Sequence, residues 1–284
     1  MAVIVEKVLV VVTFLLCLFL NALAARGDLS GTTIGEVSNK YPTYVTPDNI
    51  TFAVWGVTYL LQLLLVVAQI ATTESTEKLL SQPCCMTTLS VRWRLVMIFL
   101  LNALWLPLYA NLLFGKSMLV ICVYLALLIS VYLDVNTRTT QSFWEWVMYG
   151  SGIACNVSWV LVAAVANKLT LAASMGGWAD ANGVAGSAWF AGLVVAILSG
   201  VAIMMASVGS DFAWSLVTVW YTAGMYRQHT YSDPYALPPA AMNKTLAMVC
   251  LWASMVVSFA TLCGFFLIPS NGAFGAKKND VAAE

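Results

Sequence analysis

Amides and aromatic residues recur at helical spacing inside three apolar segments of this chain. The three faces consist of Trp55, Tyr59, Gln62 and Gln69; of Asn102, Trp105 and Tyr109; and of Asn156, Trp159, Ala163 and Asn167. Such spacing returns to the same side of a helix. Because amides are disfavoured against lipid, the pattern predicts that the three faces point inward, towards each other. Trp and Tyr rings with nearby amides are suited to hold a bulky, flat and mostly apolar ligand.

The same residues have a second interpretation as contacts that hold helices together. An Asn or Gln inside a span can bond a neighbouring helix, typically for about 1 kcal/mol, and Trp at helix ends anchors many spans at the membrane surface. A single face of this kind would favour the interpretation as a helix–helix contact. Three faces of similar composition support a ligand pocket and helix–helix contacts equally. The binding site predicted from this spacing consists of Trp55, Tyr59, Asn102, Trp105, Tyr109, Asn156, Trp159 and Ala163.

The composition is typical of a membrane protein. Of 284 residues, 61% are hydrophobic and 9% are charged, whereas soluble domains carry roughly 25% charged residues. A helix needs about 20 apolar residues to cross a bilayer. Eight segments fit this length, at about 4–25, 51–71, 94–114, 117–135, 143–166, 187–208, 211–227 and 245–268. We therefore expect an all-α, multi-pass transmembrane bundle in a lipid bilayer, with residues 115–117 joining the third and fourth helices as a tight hairpin.

The ionisable residues limit which functions the chain can have. The formal net charge is zero, which gives no electrostatic support for binding nucleic acid. His229 is the single histidine, so neither a histidine-rich metal site nor a Ser–His–Asp triad is expected. No predicted span carries Lys, Arg, Asp or Glu near its middle, which argues against ion-coupled pumps, voltage sensors and retinal proteins. No catalytic constellation is visible, and no enzymatic activity is predicted.

Charged residues near the ends of the spans are expected to reach the membrane surface. Arg92, Arg94 and Asp134 belong to this group. Glu145 lies between two tryptophans and is interpreted as an interfacial residue, with a buried acid of raised pKa as the alternative.

The ends of the chain and its first loop need separate interpretation. Residues 4–25 form either a span or a cleaved secretory signal. The Lys and Arg distribution slightly favours both termini on the cytosolic side. Residues 26–50 are rich in Gly, Pro and Tyr, and such a loop can fold back over the mouth of a bundle. Residues 269–284 are expected to be a polar, disordered tail.

Three motifs occur in the order that they have in the TspO, or translocator protein, family. The residues that resemble the family's second, third and fifth helices are Pro47, Phe52, Trp55 and Tyr59; Asn102, Trp105, Pro107 and Tyr109; and Trp159, Ala163 and Asn167. Residues 31–38 also resemble the longer tryptophan-rich sensory proteins, which carry extra C-terminal spans. The resemblance covers residues 1–168. The entry to the second helix differs from the family pattern, because a Trp-rich, double-proline segment is reduced to Thr46-Pro47-Asp48.

The resemblance implies a five-helix membrane core, at residues 1–168, that binds porphyrins, sterols or similar apolar molecules beneath the first loop. The ligand-facing family positions correspond to Trp55, Asn102, Trp105, Trp159 and Ala163. Residues 169–268 would form an additional three-helix membrane region, and residues 187–268 have no counterpart in the five-helix pattern.

From the residues and the resemblance together we expect a sensor, carrier or scavenger of a tetrapyrrole or another flat apolar molecule. Three alternatives stay open. They are a transporter or channel for an uncharged small molecule, an enzyme acting on a tetrapyrrole, and a structural subunit of a larger membrane complex. A homodimer is also open, and the sequence does not indicate which membrane holds the protein.

Overall fold

The structure is a computed structural model that describes residues 2–84, 87–137, 143–207, 211–231 and 237–267. Its helices are α1 (Ala2–Ala25), α2 (Ile34–Lys40), α3 (Val54–Ala68), α4 (Glu74–Ser81), α5 (Val91–Ala110), α6 (Phe114–Tyr132), α7 (Phe143–Glu145), α8 (Ser151–Ser174), α9 (Ala188–Ser207), α10 (Phe212–Thr230) and α11 (Lys244–Leu267). A 3-10 turn, Asn49–Ala53, leads into α3. Strands β1 (Pro83–Cys84) and β2 (Thr87–Ser90) form a small antiparallel ribbon before α5.

The predicted all-α, multi-pass membrane bundle is confirmed. Within the described ranges, seven helical segments are long and apolar enough to cross a membrane. They are Val3–Ala25, Asn49–Ala68, Val91–Ala110, Phe114–Asn136, Phe143–Ser174, Ala188–Ser207 and Lys244–Phe266. The eighth predicted span, 211–227, corresponds to α10, which has sufficient length but is not among these seven. Its polar residues Thr218, Thr222, Gln228 and His229 are buried against protein, because α10 packs on α8, α9 and α11.

Five of the described helices close into a ring. Around it, α1 packs on α5, α5 on α6, α6 on α8, α8 on α3, and α3 more sparsely on α1. The C-terminal helices α9, α10 and α11 pack on each other, and α10 attaches them to α8. The boundary predicted at residue 168 stays a prediction, and α8 continues to Ser174. The predicted tail, 269–284, lies outside the described residues.

The turn between α5 and α6 is earlier than the sequence predicted. It occupies residues 111–113, whereas residues 115–117 belong to the first turn of α6. Asn111 ends α5, because its backbone N–H and its side-chain amide both donate to the carbonyl of Pro107, at 3.0 and 2.8 Å. Leu112 has a φ of 60° and reverses the chain. The sequence predicted a turn that includes Gly115, and glycine is common in turns. In the structure Gly115 belongs to α6.

The expectation that Arg92, Arg94 and Asp134 reach the membrane surface is wrong, because both arginine side chains are fully buried and Asp134 is buried as well. Arg92 pairs with Glu77 of α4 through two bonds of 2.6 and 2.8 Å. Arg94 donates to Asp134, at 2.6 Å. The guanidinium of Arg92, together with other hydrogen bonds, holds the pKa of Glu77 well below its usual range, despite the opposing effect of burial. The charges are therefore satisfied inside the protein, where a planar guanidinium forms strong paired hydrogen bonds.

Candidate functional site

Three tryptophans from three helices meet inside the ring. The ring centroid of Trp55 on α3 lies 6.1 Å from that of Trp105 on α5 and 6.4 Å from that of Trp159 on α8. Tyr59 stacks on Trp55 at 5.6 Å, and Tyr109 lies 5.8 Å from Trp105. The three helical faces thus converge on one aromatic cluster. Whether its members contact a ligand stays a prediction.

A chain of hydrogen bonds runs beside these aromatic rings and connects all five helices of the ring. Tyr59 donates to Asn21 at 2.5 Å, and Asn21 donates to Asn102 at 3.0 Å. Asn102 then donates to Tyr124, and Tyr124 to Asn156, both at 2.9 Å. Hydrogen bonds in such a series polarise one another. The predicted residues Asn102 and Asn156 are therefore engaged in holding the bundle together.

Two members of this chain, Asn21 on α1 and Tyr124 on α6, were absent from the predicted site. Each is a polar residue in a long apolar helix, without a partner at helical spacing that would make a face. The signal that could have found them is simply a polar side chain deep in a span, since such a group needs a partner from another helix.

A cavity of about 710 Å³, which we call the entrance cavity, lies beside the aromatic cluster. Its wall includes Asn21 of α1, Ile34 and Glu36 of α2, and Trp55 and Tyr59 of α3. Glu36 is the one charged side chain among the described residues that line it. Of the eight predicted site residues, Trp55 and Tyr59 line this cavity.

A much smaller cavity of about 40 Å³, the inner cavity, lies next to it. Ile34 and Phe52 line both cavities. The predicted residues Trp105, Tyr109, Trp159 and Ala163 line the inner cavity, together with Asn167. The predicted site is therefore divided between the large entrance cavity, lined by Trp55 and Tyr59, and the small inner cavity, lined by Trp105, Tyr109, Trp159 and Ala163. Asn102 and Asn156 line neither cavity.

The first loop lies over the entrance cavity through α2. A capping box between Thr33 and Glu36 stabilises the start of this short helix. The second half of the loop is bonded to the C-terminal part of the chain. Ala185 donates to the carbonyl of Pro42 at 2.9 Å, and Tyr221 donates to that of Val45 at 3.0 Å.

Two further bonds connect the entry of α3 to α10. Arg227 pairs with Asp48 at 2.8 Å, and Trp220 donates to the carbonyl of Thr51 at 2.8 Å. Tyr44 donates to Asp180 at 2.6 Å. Although burial opposes it, this bond and backbone N–H groups lower the pKa of Asp180. One role of the additional helices is thus to hold the loop that covers the cavity.

The hydrogen bond from Tyr221 of α10 to the first loop predicts a local effect on amide hydrogen exchange. Tyr221→Phe removes the hydroxyl that bonds Val45, which is worth about 1 kcal/mol. We expect amide hydrogen exchange of residues 42–51 to become about fivefold faster, while exchange within α5 and α6 stays unchanged. Tyr226→Phe, on the same helix, is the control. Equal exchange of residues 42–51 in the two variants would contradict the role of this bond.

The structure also packs one face of α1 against the other helices of the ring. Phe14 contacts Phe99 of α5 with ring centroids 5.1 Å apart, and Asn21 belongs to the hydrogen-bond chain. Removal of α1 as a secretory signal would delete one wall of the entrance cavity, which favours its interpretation as a span.

Comparison with protein families shows where the chain belongs. The family model described as TSPO-like protein matches residues 7–263. The match extends through most of α11, so the relationship to the family does not end at residue 168, where the sequence motifs end. No curated protein and no solved structure matches the chain. A family match over this length, together with seven apolar spans among the described residues, shows that the chain is an integral multi-pass membrane protein that belongs to the TSPO-like protein family.

Proposed function

We propose that this protein binds a flat, mostly apolar molecule in the entrance cavity and acts as a sensor, carrier or scavenger of that molecule. The observation that carries the proposal is a cavity of about 710 Å³ walled by the stacked rings of Trp55 and Tyr59. Ligand pockets measure roughly 300–1,000 Å³ and combine apolar walls with a few polar groups. Asn21 and Tyr59 supply such polar groups here.

The charge of the cavity wall bears on the class of ligand. Glu36 is its one charged side chain among the described residues, so no cation there would pair with a carboxylate. Binding would depend on packing of the ligand's flat face against the aromatic rings and on hydrogen bonds to neutral groups. A sterol-like molecule meets these conditions directly. A tetrapyrrole fits if its carboxylates point away from the wall.

The position of the cavity favours entry from the bilayer. The cavity is lined by Leu18, Asn21 and Ala22 of α1 and by Trp55 and Tyr59 of α3, and these two helices contact each other sparsely. The loop above is bonded to the C-terminal helices. An apolar ligand dissolved in lipid would therefore enter between α1 and α3.

The same structure favours binding over flux through the bundle. The hydrogen-bond chain from Asn21 to Asn156 joins all five helices of the ring. A transporter would have to open this chain, whereas a binding protein can keep it intact. Transport of an uncharged molecule stays the second candidate, and flux in proteoliposomes would support it.

Removal of one ring should weaken binding measurably. Trp55→Ala deletes a stacking surface of the cavity and should raise the Kd for protoporphyrin or a sterol probe about tenfold or more, since buried tryptophans are common binding hot spots. Trp159→Ala and Asn102→Leu should also weaken binding, because they disturb the cluster and the hydrogen-bond chain. Binding is measured by quenching of tryptophan fluorescence in detergent.

The matched control is Trp189→Ala, since the Trp189 side chain is 77% exposed on the surface of the bundle and lines neither cavity. Folding of each variant is checked by circular dichroism. If folded Trp55→Ala and Trp159→Ala bind both probes as tightly as the unmodified protein, the assignment of the pocket is wrong.

A further inference from the structure

The inner cavity contains polar atoms that the described part of the protein leaves unsatisfied. The indole Nε1 atoms of Trp105 and Trp159 and the side-chain oxygen of Asn167 have no hydrogen-bond partner among the described residues. These side chains are only 5%, 2% and 1% exposed. All three residues line the inner cavity. A buried polar atom without a partner is rare in proteins and unfavourable, so three around one small cavity indicate that something binds there.

The chemistry of these atoms defines what can bind. The two indole N–H groups are donors and cannot accept. The amide nitrogen of Asn167 donates to Ser117 at 2.5 Å, which leaves its side-chain oxygen as an acceptor. The partner must therefore accept two hydrogen bonds and donate one. A neutral hydroxyl oxygen has two lone pairs and a hydrogen, and matches this set.

Other polar groups match less well. A carbonyl oxygen accepts from both indoles but has no hydrogen for Asn167. A carboxylate has the same deficiency and brings a negative charge, while no cation is found among the described residues that line the inner cavity. The cavity volume of about 40 Å³ exceeds the roughly 10–15 Å³ that a cavity needs to hold a water molecule, so the site has room for a water or a hydroxyl group.

We propose that the inner cavity is a binding site for one neutral hydroxyl oxygen, held by Trp105, Trp159 and Asn167. In the ligand-free protein this oxygen belongs to a water molecule. In the complex a hydroxyl group of the ligand displaces the water, entering past Ile34 and Phe52, which line both cavities. The ligand part of this inference rests on the proposed function, and the water part does not.

The ligand part is tested with three flat probes of the same ring system. Pyrene has no polar group, 1-methoxypyrene has an acceptor only, and 1-hydroxypyrene has both a donor and an acceptor. Energy transfer from tryptophan to the probe reports binding in nanodiscs at pH 6.5. We expect 1-hydroxypyrene to bind about tenfold more tightly than 1-methoxypyrene, because the methoxy group leaves the Asn167 oxygen without a donor.

Two variants and one control locate this preference. Asn167→Leu removes the acceptor and should abolish most of the preference for 1-hydroxypyrene over 1-methoxypyrene. Trp159→Phe keeps an aromatic ring but removes an N–H that both oxygens accept, so it should weaken both probes relative to pyrene. Trp214→Phe is the matched control. Its indole nitrogen is also buried without a partner in the described structure, but Trp214 does not line the inner cavity. Equal binding of the hydroxyl and methoxy probes to the unmodified protein would overturn the ligand part.

The water part is tested without any ligand. In protein labelled with 15N-tryptophan, the indole protons of Trp105 and Trp159 should show a nuclear Overhauser effect to a long-lived water, assigned through the Trp→Phe variants. Asn167→Leu should remove or weaken it. Absence of this effect at both indoles would overturn the water part. If none of the three pyrene probes binds, the proposed function fails, while the water experiment still decides whether the hydroxyl site exists.

Discussion

Arg94→Met is expected to destabilise the protein by about 3–5 kcal/mol, because it removes one partner of a buried ion pair. Arg94 is fully buried. It donates to Asp134 at 2.6 Å and to Ser130 at 3.1 Å. Asp134 is only 11% exposed, so loss of the guanidinium leaves a carboxylate in a poorly solvated position. The effect is measured as the free energy of unfolding, by titration with SDS in mixed micelles.

The control is the same substitution in an exposed pair. Arg26 and Asp28 are also 2.6 Å apart, but their side chains are 73% and 39% exposed. Exposed pairs contribute about 0–1 kcal/mol, so Arg26→Met should leave the unfolding midpoint nearly unchanged. The double variant Arg94→Met/Asp134→Leu should recover much of the loss, since it replaces the buried carboxylate together with the guanidinium by apolar groups. Equal stability of the two single variants would show that burial of Arg94 is unimportant.

Gly152→Ala is expected to destabilise the contact between α3 and α8, and with it the aromatic cluster. A Cβ at Gly152 would lie 2.8 Å from the backbone nitrogen of Gln62 and 2.8 Å from the carbonyl carbon of Leu61. Both are backbone atoms, so the helices must move apart. This separation carries Trp55 away from Trp159, whose ring centroids are 6.4 Å apart. Overpacking of this kind typically costs about 1–3 kcal/mol.

Gly56→Ala is the matched control for Gly152→Ala. Gly56 also lies in a spanning helix, but a Cβ there would have no atom within 4 Å. Both substitutions gain the same helix propensity, at most about 1 kcal/mol, so the difference between them isolates the clash. We expect Gly152→Ala to be less stable than Gly56→Ala by about 1–3 kcal/mol and to bind the apolar probes more weakly. If the two variants are equally stable, α3 and α8 are not in close contact at Gly152.

The three faces at helical spacing were predictable because periodicity is a local property of the chain. Trp55, Trp105 and Trp159 do meet inside the ring of helices. The spacing could not predict which polar groups would be used for packing. Asn102 and Asn156 belong to the hydrogen-bond chain and line neither cavity, whereas Asn167, outside the predicted binding site, lines the inner cavity.

The buried arginines show a second limit of sequence reasoning. Near the end of a span, a long cationic side chain can reach water, and this general rule predicted exposure of Arg92 and Arg94. The rule does not apply here, because Glu77 and Asp134 lie within hydrogen-bond distance from other elements. In the sequence, Glu77 is 15 residues from Arg92 and Asp134 is 40 residues from Arg94. No local sequence pattern therefore indicates these ion pairs.

The sequence by itself determined the class of the protein and the helices that carry its aromatic and amide residues. Hydropathy over about 20 residues and spacing within a helix depend only on neighbouring positions, and the family motifs are equally local. The tertiary structure alone decided the division of the site into an entrance and an inner cavity, the partners of Asn21 and Tyr124, and the use of α10 to hold the first loop. These features arise from side chains that are far apart in the sequence, and their distances are set only when the helices pack.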